Sequence, residues 1–153
     1  MRNAPVLPIE RDRSGSHHRP ESGPVVIGGR KFMVCQADLR TPNDWTNKLH
    51  GGRIYRRERS KWVKLLKNVQ FLWGKQSRNV TRRLTVIRKV PNRRYLIKDL
   101  DNRVAALKPL LDALTIVGVI IDDAETFLES LPPVQLICPD LKAPVVEVLL
   151  EDI

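Results

Sequence analysis

Residues 98–123 read KDLDNRVAALKPLLDALTIVGVIIDD. Four carboxylates stand at the two ends of this stretch, Asp99 and Asp101 at the front and Asp122 and Asp123 at the back. If the first pair lies on extended chain, its side chains point the same way, because residues two apart share one face. Asp122 and Asp123 then point to opposite sides of a strand, so one of them can face the first pair. Converging carboxylates repel unless a cation neutralises them. Oxygen-only ligands with open positions suit Mg²⁺ or Mn²⁺. A metal so held neutralises a phosphate and activates water against it, which is the chemistry of phosphodiester hydrolysis. A DxD alone is common, and a DD after a strand is often a turn.

The charge around these acids is uneven. Residues 1–98 carry 24 Lys and Arg against 6 Asp and Glu, whereas residues 99–153 carry 3 against 11. The whole chain is at +10. So basic a surface points to a polyanion, with nucleic acid the first candidate. Arg53, Arg56, Arg57, Lys61 and Lys64, with Arg59 among them, form the candidate phosphate-contacting surface.

The elements that must carry these residues can be read from the pattern. Residues 1–29 hold Pro5, Pro8, Pro20 and Pro24 among Ser, Gly and the pair His17–His18, and read as a flexible tail. KFMVCQA (31–37) reads as a strand and TPNDWTNKLHGG (41–52) as a turn-rich loop. Over 58–73, Trp62, Leu65, Leu66, Val69, Leu72 and Trp73 recur at helical spacing, and Gly74 would end that helix. RLTVIRKV (83–90) reads as a strand. Val104, Leu107, Leu111 and Leu114 mark a second helix, with Asp101 or Asn102 as its cap. VIIDD, VQLIC (134–138) and PVVEVLL (144–150) read as strands. The expected fold is α+β: a mixed sheet with two main helices packed on it, in one domain over 30–153. The longest clean apolar run, Ile116–Ile121, is far short of the roughly 20 residues of a membrane helix. The N-terminus lacks the apolar core of a signal peptide, so a soluble, non-exported chain is expected. Cys35 and Cys138 fit neither a CxxC nor a disulfide framework and are expected as free thiols.

Taken together, DLDN (99–102), KPLLDAL (108–114) and IIDD (120–123) resemble the RusA-type Holliday junction resolvases, common in bacteria, phages and prophages. RIYRRERSKWVKLL is similar to that family's basic helical region and APVVEVLLEDI to its closing strand, so the resemblance spans about residues 31–153. It implies a cytoplasmic, homodimeric, Mg²⁺-dependent endonuclease that nicks opposed strands of a four-way junction. Position by position, Asp99, Asp101 and Asp123 match the metal-binding carboxylates, Asp122 the neighbouring acid, and Lys108 the active-site lysine. Asp112 reads instead as a helix-surface acid paired with Lys108 at i, i+4. The chain departs from DxDNxxK: RVAALK is three residues longer, and Ala105 stands at the ungapped lysine position. Pro109 lies too deep for a helix capped at Asn102. Either that helix kinks, or it starts later and Lys108 falls in its first turn. The alternative function is a binding-only protein for branched DNA or RNA.

Overall fold

The computed structural model describes residues 22–44 and 51–153. His17, His18 and the first 21 residues of the expected tail lie outside it. The rest of that tail is structured. Gly23–Ile27 forms β1, which pairs antiparallel with β2 (Arg30–Cys35). The two-residue turn between them is Gly28–Gly29, at φ 58° and 77°. Positive φ at both positions gives the turn whose twist matches a hairpin, and only glycine adopts it freely.

β2 pairs with β6 (Val145–Asp152), and β6 with the central β3 (Arg82–Val90), all antiparallel. On its other side β3 pairs parallel with β4 (Leu128–Ser130) and then β5 (Val134–Ile137). Pro132 and Pro133 separate β4 from β5. Neither can donate to the ladder, so one edge strand becomes two. The sheet is therefore mixed, as expected, and has six strands, of which β1 and β4 were not foreseen.

The helices are α1 (Gly51–Leu66), α2 (Val69–Trp73), α3 (Leu100–Ala105) and α4 (Lys108–Ile116). Trp62, Leu66 and Val69 pack with Leu107, Leu110 and Leu114 on one sheet face, against Cys35, Leu84, Val86, Val146 and Val148. The helix expected over 58–73 starts seven residues earlier, in what read as loop, and breaks at Lys67–Asn68. Gly74 stops α2 at φ 71°, donating its N–H to the Gln70 carbonyl. Cys35 is buried, Cys138 half-buried, and both are free.

The stretch after β3 departs from its sequence pattern in three places. Asp99 and Asp101 do not share one extended stretch: Asp99 is extended and caps α3, its Oδ1 accepting the N–H of Asp101 at 2.9 Å, and Asp101 is already helical. The expected single helix is two. Pro109 has no N–H to give, so α3 closes through Ala106 and Leu107, and α4 restarts with Lys108 and Pro109 in its first turn. Val104 consequently leaves the apolar stripe and is exposed.

VIIDD is not a strand. Gly118 at φ 80° turns the chain out of α4, and the N–H groups of Val119 and Ile120 reach back to the Leu114 carbonyl at 3.2 and 3.5 Å. Val119 and Ile120 plug the core. Side chains meet the backbone groups that a neighbouring strand would have taken. Arg82 Nη1 donates to the Val119 carbonyl at 2.6 Å, and Gln76 Oε1 accepts the Ile121 N–H at 2.9 Å. Among the described residues, no helix is long and apolar enough to cross a membrane.

Candidate acid–lysine site

Lys108 opens α4 and extends its ammonium between two carboxylates. Nζ lies 3.0 Å from Asp112 Oδ1, one turn on, and 2.8 Å from Asp123 Oδ2, beyond the Gly118 turn. The i, i+4 pair is the one the spacing predicts; the bridge to Asp123 comes from the turn. The other oxygen of Asp112, Oδ2, accepts the hydroxyl of Tyr55 from α1. Asp122 Oδ1 accepts the Asp123 N–H at 2.7 Å, which fixes the DD pair. Arg59, Lys108, Asp112, Thr115, Asp122 and Asp123 line one open depression where α1 meets α4.

The electrostatics follow from these bonds. Hydrogen bonds to Asp123 and Asp112 hold the Lys108 ammonium charged well above the ordinary lysine range. The same ammonium holds the Asp123 carboxyl below its usual range. Burial, and then the Asp112 carboxylate, push the Tyr55 phenol up to about 12. A raised phenol stabilises the fold fully below the unfolded tyrosine value of about 10, and that contribution is lost as pH climbs towards 12. We expect the tyrosinate absorbance attributable to Tyr55, taken as wild type minus Tyr55→Phe, to develop near pH 12. Development near pH 10 would mean that the Asp112 contact does not persist in solution.

The predicted site positions divide. Lys108, Asp122 and Asp123 share the depression; Asp99 and Asp101, exposed at the start of α3, are not among its lining residues. Among the described residues, no three Asp, Glu, His or Cys side chains gather closely enough to hold a metal ion. The donors nevertheless suit a hard dication in kind. They are carboxylate oxygens, mostly exposed, and magnesium commonly takes one or two of these and completes its shell with water and phosphate.

The basic surface also divides. Arg53, Arg56, Arg57 and Lys64 are exposed on α1. Lys61 instead turns along the helix to Glu58, which is buried and also paired with Arg40 at 3.4 Å, and to the Asp38 carbonyl. Arg59 lines the acid–lysine depression, and Arg93, Arg94 and Lys98 are exposed on the segment leading to Asp99. Removing one cation that meets a DNA phosphate should flatten the salt dependence of binding by about one unit in the log–log slope. Arg57→Gln is therefore expected to lower that slope. Lys61→Gln is expected to leave it unchanged and to lower the melting temperature, since buried Glu58 loses a partner. Salt titrations of both variants, with thermal melts, check the division.

Sequence reasoning had no means of finding Tyr55. Its partner lies 57 residues away, and a tyrosine on an amphipathic helix carries no local mark of such a contact. Comparison with protein-family models finds no match, and comparison with curated proteins finds none either.

Proposed function

We propose that this chain is a metal-dependent, structure-selective DNA endonuclease that resolves four-way junctions by paired, symmetric nicks. The observation that carries this reading is the lysine bridge. Lys108 and Asp123, assigned to one site by the resemblance of DLDN, KPLLDAL and IIDD to the resolvases, are 15 residues apart in sequence and joined by a hydrogen bond of 2.8 Å. Both line the depression that Arg59 of α1 also lines, which puts a cation where a phosphodiester would enter.

In this reading α1 collects the backbone through Arg53, Arg56, Arg57 and Lys64, and Arg59 draws a phosphate toward the depression. Lys108 meets the charge that develops on that phosphate. The resemblance assigns Mg²⁺ or Mn²⁺ to Asp99, Asp101, Asp122 and Asp123; Asp122 and Asp123 share the depression, and Asp99 and Asp101 would have to approach them from the start of α3 to complete the set. The metal when bound would offset phosphate charge and lower the pKa of water. In hydrolysis a water oxygen bonds to phosphorus as the bond to the 3′ oxygen breaks; one proton of the water goes to the departing 3′ oxygen by way of solvent, leaving a 3′ hydroxyl and a 5′ phosphate. Two copies of the chain related by a two-fold axis would pair the two cuts. Such an enzyme works on cytoplasmic DNA in a bacterium, whether the host's or a phage's.

A synthetic four-way junction resolved on a denaturing gel tests this. Symmetric nicks near the crossover with Mg²⁺, absent with EDTA, are expected. Cleavage that persists in EDTA overturns the metal dependence. One observation favours a second reading, a protein that binds branched nucleic acid without cutting it: Asp123 is already neutralised by Lys108, and among the described residues no three acids are gathered. Junction binding without nicks under Mg²⁺ and Mn²⁺ would establish that reading instead.

A further inference from the structure

We propose that Tyr55 and Asp112 are positioning residues that aim Lys108 into the acid–lysine depression, so that the basic helix α1 sets the geometry of the site as well as binding the substrate. This rests on the nuclease reading and adds to it Tyr55, which lies in none of DLDN, KPLLDAL and IIDD, and a positioning role for Asp112, read from the sequence only as a surface partner of Lys108.

The argument starts from the lysine. Its ammonium is a point charge on a flexible four-carbon stem, so its position is set by what it touches. It has three N–H donors. Among the described residues two are used, on Asp112 Oδ1 and Asp123 Oδ2, which leaves one for a ligand oxygen. The lysine is therefore placed only as well as those two carboxylates are placed. Asp123 is tied by its own N–H to Asp122 and lies beyond the Gly118 turn. Asp112 is tied from the other side: Tyr55 donates to Oδ2, which leaves Oδ1 turned to the lysine.

An ordinary i, i+4 ion pair on a helix surface needs no such third group. This one has a phenol from a different helix, half-buried where α1 and α4 pack. Arg59 lies one turn after Tyr55 on the same helix and lines the same depression, so a shift of α1 against α4 would move both together.

The test is a double-variant cycle on junction cleavage under single-turnover conditions, with junction affinity and melting temperature measured alongside. The proteins are wild type, Tyr55→Phe, Lys108→Met and the double variant. Tyr55→Phe is expected to slow cleavage about ten- to a hundred-fold, as supporting groups around reactive sites typically do, with affinity unchanged. In the Lys108→Met background it should cost nothing further, because its effect passes through that lysine. Losses that multiply independently, or a loss carried by affinity or by melting temperature, overturn the positioning role while leaving the nuclease reading intact. A well-folded wild type that cuts no junction overturns both.

Discussion

Asp101→Asn should lower junction cleavage about 10²–10³-fold, the range seen when a preorganised electrostatic contact is removed from a site. Binding should hold or tighten, since the variant takes one negative charge away from an approaching phosphate. Asp101 is the cleanest of the acids to change. It is exposed in the first turn of α3 and makes no ion pair among the described residues. A substitution there should shift stability by no more than about 0.5 kcal/mol. Asp123→Asn would be harder to read, because it also breaks the bridge to Lys108. Single-turnover cleavage, junction affinity and a thermal melt on one preparation decide the matter. Full cleavage by the variant would remove Asp101 from the site, and equal losses of cleavage and affinity would make it a binding residue only.

The second large effect is structural. Arg82 is buried, its side chain 5% exposed. Its Nε donates to Asp152 at 2.7 Å, Nη1 to the carbonyls of Gly74 and Val119, and Nη2 to the carbonyl of Trp73. One guanidinium thus joins β3, β6, the end of α2 and the segment that carries Asp122 and Asp123. Arg82→Met should destabilise the fold by about 3–5 kcal/mol: the Asp152 carboxylate is 60% exposed and returns to water, but the carbonyls of Val119, Gly74 and Trp73 lose their donor, at about 1–3 kcal/mol for each that stays buried. Arg82→Lys should recover only part of this, because an ammonium lacks the planar fork that serves four oxygens at once. Urea unfolding midpoints measure both. A loss below about 1 kcal/mol for Arg82→Met would mean that water replaces the arginine at those carbonyls.

Arg82 also shows where the sequence was legible and where it was not. RLTVIRKV announced a strand through its β-branched residues, and the strand is there. Its alternation puts Arg82 and Arg88 on the same side as Leu84, Val86 and Val90, and those arginines are buried. Arginines are seldom buried without partners, and here distant carbonyls and carboxylates supply them. Arg88 finds Asp38 and Gln135, from segments fifty and forty-seven residues away. The strand expected at VIIDD failed for a related reason. Val119 and Ile120 are buried and Ile121 is exposed, but side chains of Arg82 and Gln76 satisfy the backbone of this run, and no local pattern encodes that. β1 was hidden in a segment whose proline and glycine content reads as tail, although Gly28–Gly29 is a hairpin turn.

At the site, the i, i+4 pair of Lys108 with Asp112 could be read from spacing, whereas Lys108 and Asp123 were brought to one site only by the resemblance. The three extra residues before Lys108 left open a kinked helix or a loop at RVA with a later start; in the structure RVA is helical, in α3, and a second helix restarts at Lys108. How Asp99 and Asp101 stand to the depression depended on that break. It separates α3 from α4, and a spacing rule written for a continuous helix cannot describe it.

Gly118 bears on how this chain can vary. A Cβ there would stand 2.9 Å from Gln70 Nε2, which donates to the Val117 carbonyl, and the backbone sits at φ 80° besides. The steric conflict is with the end of a mobile side chain and can be relieved; the backbone conformation cannot. In a library randomised at position 118, survivors should be almost all glycine, with asparagine or aspartate the rare exceptions. Randomising position 70 at the same time should admit more of those exceptions, chiefly in clones whose residue 70 is short. The two positions would then drift as a pair, and the order in which they changed would matter: residue 70 first, residue 118 second.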